Sequence, residues 1–443
     1  MPSRCRPLAV AVLLAVTSLL PARAASAQGR VVEERTRSVV ATYEKAEHWA
    51  MKGIVLLTLG PSWSRAAQPM LLDALNAKDP QLQAYGLEVL ATSEPEILRY
   101  GVTAEMIDEL VKNHAKVKSE AWYARVEEVL FALFPGTEAL DAGDWAKHWR
   151  SVRREWQPAA WPEAFTEEED TDAKGGGETV AQAFIARAFD LYNTGLEVML
   201  VIDSTGSMQP TIDMTRASLM DMAAVLQGVA PKLQMGVVHY KDYGDFGDGA
   251  KLLEELSKKP AKVEKALEKL RASGGGDMPE AIEAGLRVAL DEDSGWTRSA
   301  SKLIVVIGDA PAKRQSEAED LARGAHEKPF GNAPVIPDGN ASTVSPNRPF
   351  VVSTILVRHG GGGGRVAGSG PPEGGGNPAA NSLQAIADAG GGSYAEISGA
   401  SDRDPTMQIV AQVLAQSFGR KFRDQTDLFL DVWLRYHRDG VFK

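Results

Sequence analysis

Cysteine is almost absent from this chain. Its 443 residues include one cysteine, Cys5, in an N-terminal segment that we expect to be removed. The chain that remains has no thiol, which excludes disulfides, iron–sulfur clusters, thiolate zinc sites and cysteine nucleophiles. Packing or bound ions must then hold the fold together.

The N-terminal segment has the parts of a secretory signal peptide. Arg4 and Arg6 precede an apolar run at 8–20, and Ala25 and Ala27 follow in an A-x-A arrangement. A membrane anchor is the alternative, but 13 apolar residues are too few to cross a bilayer comfortably. We therefore predict that 1–27 is a signal peptide cut after Ala27, and that the protein is secreted or periplasmic.

An excess of positive charge is also lacking. Lys and Arg total 48 against 59 Asp and Glu, a formal net charge of −11. Loss of residues 1–27 removes three arginines and no acid, which makes the charge −14. Nucleic acids and anionic membranes attract basic surfaces, so neither is expected as a partner. No transmembrane segment is predicted after residue 27, because no later run is long and apolar enough.

Residues 30–165 have the apolar periodicity of helices. One helical face is marked by Met70, Leu71, Ala74 and Leu75. Asp79-Pro80 is a favourable helix start, because proline is tolerated in the first turn. The segment DPQLQAYGLEVL, at 79–90, resembles the second helix of a HEAT-like repeat. We predict an all-α HEAT-like domain, with an irregular helical bundle as the alternative.

A different pattern follows an acidic, glycine-rich linker predicted at 166–178. Apolar strands alternate with helices over 190–425, which is typical of an α/β fold with a mostly parallel sheet and helices on both faces. Two of the strands end in acids, Asp203 and Asp309. Ligands bind such sheets at the carboxyl ends of strands, near the switch point of the topology. Residues 426–443 are interpreted as an extra strand or an extension packed on this domain.

Oxygen-bearing side chains follow the first of these strands at once, in the sequence DSTGS at 203–207. A phosphate loop needs a lysine after its glycine-rich turn, and a nucleophile elbow needs G-x-S-x-G; the segment fits neither. A phosphotransferase aspartate is conceivable, but its usual second acid is absent. Asp203, Thr205 and Ser207 alternate along the loop, so their oxygens can converge on a hard cation such as Mg²⁺. One carboxylate and two hydroxyls leave such an ion under-neutralised, and a partner protein can provide another carboxylate.

Residues from about 194 to 420 resemble a von Willebrand factor A domain. DSTGS matches the motif of the metal-ion-dependent adhesion site, D-x-[ST]-x-S, and Asp309 matches the family's acid at the end of a later strand. The resemblance implies a Rossmann-like fold with Mg²⁺ or Mn²⁺ at the top of the sheet. It also implies that Asp203, Thr205 and Ser207 hold the ion and that Asp309 orients its waters.

A third loop departs from the family pattern. The family usually supplies a threonine there, whereas this chain has ASGGGDMPEAI at 272–282. That sequence resembles a hemicentin-like variant in which an acid can replace the threonine. The resemblance implies Asp277 as a further metal-site residue, and the backbone of Gly276 is the other candidate. Alternatively Asp277 caps the next helix, since Pro279 and Glu280 follow it.

Two other segments give weaker signals. Asp242, Asp245 and Asp248 are spaced by three, unlike the alternating acids of a calcium loop, so we expect a solvated turn. The glycine-rich insertion at 359–378 has low complexity, and it either contacts a partner or is disordered.

These observations predict a binding protein that is not an enzyme. It would be an exported adhesion or scaffold protein, in which Mg²⁺ at the top of the sheet ligates an Asp or Glu of a protein partner. A metal-dependent hydrolase is one alternative, although no His or Lys lies in the motif loops and His239 is the nearest base. A structural protein with a vestigial metal site is the other.

Overall fold

The computed structural model describes residues 22–137, 143–162, 179–245, 247–275, 278–327, 348–358, 377–398 and 405–442. Residues 1–21 of the predicted signal peptide, the predicted linker and Asp277 lie outside them, as does most of the glycine-rich insertion.

The N-terminal part of the chain is helical. Its helices are α1 (Ala22–Lys45), α2 (Trp49–Leu57), α3 (Gln68–Leu75), α4 (Pro80–Ala91), α5 (Pro95–Gly101), α6 (Ala104–Lys116), α7 (Glu120–Leu133) and α8 (Trp145–Val152). Local sequence explains several starts: Thr103 and Ser119 cap α6 and α7 by accepting a backbone hydrogen bond. Pro80 opens α4, so the helix start predicted at Asp79-Pro80 is confirmed. The HEAT-like arrangement of these helices stays a prediction.

A six-stranded sheet forms the second part within the described residues. Its strands are β1 (Leu196–Asp203), β2 (Leu233–Tyr240), β3 (Ala250–Ser257), β4 (Ser301–Gly308), β5 (Phe350–Arg358) and β6 (Gly391–Ser398). They lie in the order β3-β2-β1-β4-β5-β6, and all neighbouring pairs are parallel except β2 and β3. The α/β fold predicted from the alternating pattern is therefore confirmed.

Helices cover both faces of this sheet. They are α9 (Val180–Thr194), α10 (Gln209–Val229), α11 (Pro260–Lys269), α12 (Ile282–Ala289), α13 (Gln315–Glu327), α14 (Pro378–Ala389) and α15 (Pro405–Phe418). Successive side chains of β1 enter two different apolar clusters: Val198 and Leu200 belong to one, Met199 and Val201 to the other. This alternation is expected of a strand, whose side chains point to opposite faces, and both faces of β1 are buried.

Two elements differ from the sequence prediction. Strand β3 was not predicted, because it is an antiparallel edge strand with few fully buried residues and lacks a continuous apolar run. The C-terminal segment, for which a strand was one expectation, forms helix α16 (Arg423–Arg438).

Helix α16 packs against the N-terminal helices. The ring of Tyr85 on α4 stacks on Phe429 with centroids 5.0 Å apart, and its hydroxyl donates to the Phe429 carbonyl at 2.9 Å. Glu88 on α4 is buried and pairs with Arg125 and Arg435. The C-terminus of the chain thus ties the helical region to the sheet region, and one apolar cluster runs through both.

No helix in the ranges that the structure describes is both long and apolar enough to cross a membrane.

Candidate metal site

The predicted site lies where the topology of the sheet reverses. Strands β1 and β4 are neighbours at the centre, but the chain leaves β1 towards β2 and leaves β4 towards β5, on opposite sides. The loops after these two strands therefore diverge and leave a crevice at their carboxyl ends. The parallel register pairs Ile202 with Ile307, which places Asp203 and Asp309 at this edge. We call this edge the acidic end of the sheet.

Asp203 has one oxygen that is satisfied and one that is not. Its Oδ1 accepts hydrogen bonds from the backbone N–H and the hydroxyl of Thr205, both at 2.8 Å. Its Oδ2 is buried and has no hydrogen-bond partner among the described residues. Burial raises the pKa of Asp203 to about 7; Thr205 opposes this rise and the nearby carboxylate of Asp309 adds to it. A buried carboxylate oxygen without a donor is costly for the protein alone and fits a cation.

A second buried oxygen lies beside the first. The Tyr240 hydroxyl has no hydrogen-bond partner in the part of the chain that is described. A Cβ on Gly308 would collide with this hydroxyl and lie 3.7 Å from Asp203 Oδ2, so glycine is needed there. Burial raises the pKa of Tyr240 well above its usual range. Four carboxylates add to that rise: Asp203, Asp309, Glu280 and Glu283. Negative charge is therefore concentrated around the crevice.

The glycine-rich third loop packs directly on the loop that follows β1. Ser273 N donates to Ser204 O, and Gly206 N donates to Gly274 O, both at 3.1 Å. Gly274 and Gly275 have φ of +74° and +78°, a backbone conformation that favours glycine. A Cβ on Gly275 would also lie 2.9 Å from Thr205 Cβ. The repeated glycines thus allow two backbones to meet beside the predicted ligands.

Side chains from the loop after β2 hold the third loop in place. Lys241 Nζ donates to the carbonyl and hydroxyl oxygens of Ser273, both at 2.7 Å. Asp245 Oδ2 accepts from Gly275 N at 3.1 Å. Asp245 was expected in a solvated turn; it is exposed, but it also positions the third loop. Three loops therefore converge at the acidic end.

The predicted ligands have different surroundings. Asp203 and Thr205 are buried and joined by hydrogen bonds, and Asp309 is close enough to affect the pKa of Asp203. Ser207 is exposed, in the short 3-10 turn Gly206–Met208. Asp277, with Gly276, lies outside the described residues. Helix α12 begins at Ile282 with Ala281 at its N-cap position. Both interpretations of Asp277, as a metal-site residue and as a helix cap, stay predictions.

Glu280, which the sequence indicated only as part of a helix start, is buried beside the predicted site. It is 4% exposed, and its Oε1 would lie 3.7 Å from a Cβ on Gly275, which itself would contact Thr205. Its backbone N–H donates to Pro311 O at 2.9 Å, which connects the third loop to the loop after β4. The sequence signal was a glutamate directly after the glycine-rich loop, but its burial came only from the fold.

The predicted ligands are oxygen donors, which suit a hard cation, but they do not form a complete cluster of acidic ligands within the described residues. Within the ranges described, no three His, Cys, Asp or Glu side chains are grouped as metal ligands. The predicted set relies instead on the hydroxyls of Thr205 and Ser207, and on Asp277, which is not described. Oxygen donors of this kind suit Mg²⁺ or Mn²⁺ rather than softer metals.

His239, the candidate base of the hydrolase alternative, is poorly suited to acid–base chemistry at neutral pH. It is 7% exposed, and its Nδ1 lies 3.0 Å from Ser204 Oγ. Burial, with the charges of Lys241 and Lys251, lowers the pKa of His239 to about 4. At neutral pH it is therefore an uncharged and weakly basic imidazole.

A basic groove adjoins the acidic end. It has a volume of about 510 Å³, and its cationic lining residues are Lys241, Lys262, Lys265, Lys269 and Arg271. Glu254 also lines it and pairs with Lys262 at 3.1 Å. Lys241 contacts Ser273 in the third loop, and Arg271 immediately precedes that loop, so the groove and the crevice share a wall.

Comparison with known proteins gives one family match. A family profile described as von Willebrand factor A domain matches residues 197–343. A curated relative, alpha-protein kinase vwkA of Dictyostelium discoideum, is 24% identical over 118 residues, which are 26% of this chain and 18% of the kinase. The matched segment thus spans less than a fifth of that relative's length.

Three solved structures illustrate the similarity of fold. The conserved hypothetical protein BatB of Bacteroides thetaiotaomicron is 17% identical with a TM-score of 0.34, over 49% of this chain and 97% of that one. The von Willebrand factor A domain of SpRpn10 is 13% identical with a TM-score of 0.31, over 48% and 93%. Proximal thread matrix protein 1 of the mussel byssus is 14% identical with a TM-score of 0.32, over 48% and 44%.

Proposed function

Because this chain contains a von Willebrand factor A domain, whose general role is protein binding, we propose that it is an exported, metal-dependent adhesion or scaffold protein. The observation that carries the proposal is the buried Oδ2 of Asp203, which has no donor among the described residues. Export rests on the signal-peptide pattern of 1–27, and N-terminal sequencing of the mature protein should begin after Ala27.

Asp203, Thr205 and Ser207 would hold Mg²⁺ or Mn²⁺ at the crevice, with Asp309 and Asp277 nearby. When bound, the ion would supply an open coordination position for a carboxylate from another protein. Thr205 already orients Asp203 through two hydrogen bonds, so that its other oxygen remains available. Ser207, being exposed, lies on the side from which a partner can approach.

Local charge supports an Asp or Glu as the partner's ligand. The mature chain is strongly acidic as a whole, which alone would repel an acidic partner. The basic groove beside the crevice reverses the sign of the charge locally. An acidic segment could therefore place one carboxylate at the metal and its neighbours against the lysines, since complementary charge aids both encounter and specificity.

An enzymatic role has less support. A hydrolase needs a base within reach of the reacting proton, and that base works best when its pKa lies near the working pH. Burial lowers the pKa of His239 to about 4, and its Nδ1 contacts Ser204. We therefore propose a non-enzymatic role, which turnover assays on generic esters and phosphates would test.

A displayed library of random peptides tests the partner chemistry. Peptides selected on the whole protein in Mg²⁺ should be enriched in Asp or Glu and should elute with EDTA. Ser207→Asp keeps an oxygen ligand but adds a negative charge, so it should retain the metal-induced rise in Tm while capturing fewer acidic peptides. Ser207→Ala should lose both responses. Peptides that lack acids, or that Ser207→Asp captures as well as the parent does, would contradict the open-coordination mechanism.

A further inference from the structure

A polar pocket lies at the opposite end of the sheet from the predicted metal site. It has a volume of about 320 Å³ and is lined at the amino ends of β4, β5 and β6 and at the carboxyl end of α15. Its arginine lining residues are Arg187, Arg348 and Arg420. Lys302 also lines it, but the Lys302 ammonium donates to the carbonyl oxygens of Arg298 and Ala300, which lie outside the pocket lining. We call this cavity the cationic pocket. Its polar uncharged lining includes Ser353 and Gln416, both at least nine-tenths buried.

Positive charge in this pocket exceeds its nearby negative charge. Asp190 pairs with Arg187 at 2.8 Å and with both terminal nitrogens of Arg348. Burial lowers the pKa of Lys302 to about 8, and Glu197 opposes this shift while Arg348 adds to it. Burial also lowers the pKa of Arg187; Asp190 opposes this shift and Arg348 adds to it. The cations therefore destabilise one another, and an anion among them would relieve that repulsion.

Gln416 supplies the pocket with a side-chain amide that has no hydrogen-bond partner among the described residues. The side chain is 5% exposed, and neither its nitrogen nor its oxygen has a hydrogen-bond partner among the residues described. Buried amides are normally paired, because an unpaired one has lost its hydrogen bonds to water. A donor beside several cations is suited to an anionic oxygen, and the amide oxygen can accept from a hydroxyl on the same molecule.

We propose that the cationic pocket binds a small organic oxyanion, a phosphate or carboxylate carried on a small molecule. Guanidinium groups match both anions because their N–H donors form a planar fork. The volume exceeds that of a few water molecules, each of roughly 30 Å³, so the ligand can carry a short organic group. This site needs neither the metal nor the partner proposed above, since it lies at the other end of the strands.

Thermal unfolding of the whole protein tests the site with defined probes. Inorganic phosphate, glycerol phosphate and citrate would be titrated against chloride at constant ionic strength. We expect a saturable rise in Tm with at least one of them, larger for the organic anions than for inorganic phosphate. Comparing glycerol phosphate with citrate distinguishes a phosphate from a carboxylate ligand. No saturable response to any of the three would overturn the proposal.

Single-residue variants test whether the anion-induced rise in Tm comes from binding in the cationic pocket. Gln416→Leu removes the unpaired amide, so its Tm without anion should equal or exceed that of the parent, while its apparent anion affinity should fall at least tenfold. Lys265→Met, in the basic groove, and Asp203→Ala, at the acidic end, should leave the anion response unchanged. If Gln416→Leu is stabilised but responds to anions as the parent does, the pocket is only structural and the proposal is wrong.

Discussion

The two ends of the parallel sheet carry opposite charges. The acidic end gathers Asp203, Asp309 and Glu280 around a crevice, whereas the amino ends of the strands gather arginines and a lysine around the cationic pocket. Each end also has a buried polar side chain with atoms that lack a partner among the described residues, Asp203 at one and Gln416 at the other.

The fold itself explains why negative groups lie at one end of the sheet and positive groups at the other. In a parallel α/β sheet the helices begin near the carboxyl ends of the strands and end near their amino ends. Helix N-termini favour negative groups and C-termini favour positive ones. Helix α10 begins just after the crevice at Gln209, and Arg187 donates to the Ser417 carbonyl at the end of α15.

The helix dipoles do not explain the buried polar atoms that lack hydrogen-bond partners among the described residues. A helix dipole favours a carboxylate but does not require that one of its oxygens be buried without a donor, as Asp203 Oδ2 is. The charge at each end therefore follows from the architecture of the fold, whereas an unpaired buried atom indicates a ligand.

The largest effect should follow loss of the Asp203 charge. A ligand present at 100 times its dissociation constant stabilises a protein by about 2.7 kcal/mol, so saturating Mg²⁺ should raise Tm measurably. Asp203→Asn keeps the size of the side chain but removes the charged ligand, and the rise should disappear. Circular dichroism melts in Mg²⁺ and in EDTA measure it.

Asp213→Asn is the matched control, because Asp213 is exposed on α10 close to the same loop. It should keep the full response to Mg²⁺. A response that persists in Asp203→Asn would place the cation elsewhere and remove the ligand interpretation of the acidic end.

The acidic end could be predicted from sequence far better than the cationic pocket. Asp203, Thr205 and Ser207 are within five consecutive residues, so the motif is visible without a fold. The pocket draws Arg187 from α9, Lys302 from β4 and Gln416 from α15, which only the sheet topology brings together. Glu280 shows the intermediate case: its position was noted, but its burial depended on the contact between two loops.

A smaller effect is expected at the cationic end from Asp190→Asn. This change removes the negative charge that Arg187 and Arg348 share, while the amide keeps one accepting oxygen. We expect a loss of about 2 kcal/mol in the free energy of unfolding, as for other hydrogen bonds between charged groups. Because the pocket becomes more positive, the anion-induced rise in Tm should increase.

Urea unfolding with and without glycerol phosphate measures both quantities. Asp320→Asn, in the exposed pair between Arg323 and Asp320, should change neither, because exposed ion pairs contribute little. An anion response that is smaller in Asp190→Asn than in the parent would mean that Asp190 orients the arginines for binding rather than competing with the anion.

The smallest effect distinguishes two tyrosines at the acidic end. The Tyr240 hydroxyl is buried without a partner in the described part of the chain, whereas the Tyr243 hydroxyl donates to Glu283 at 2.9 Å. Tyr240→Phe should therefore raise the free energy of unfolding in EDTA by about 1 kcal/mol, because it removes an unsatisfied polar group. Tyr243→Phe loses a hydrogen bond and should not be stabilised. Urea unfolding of both variants under the same conditions gives the comparison. A destabilised Tyr240→Phe would mean that its hydroxyl is satisfied in solution, and the acidic end would then have one unpaired oxygen, that of Asp203, on which the case for a cation would rest.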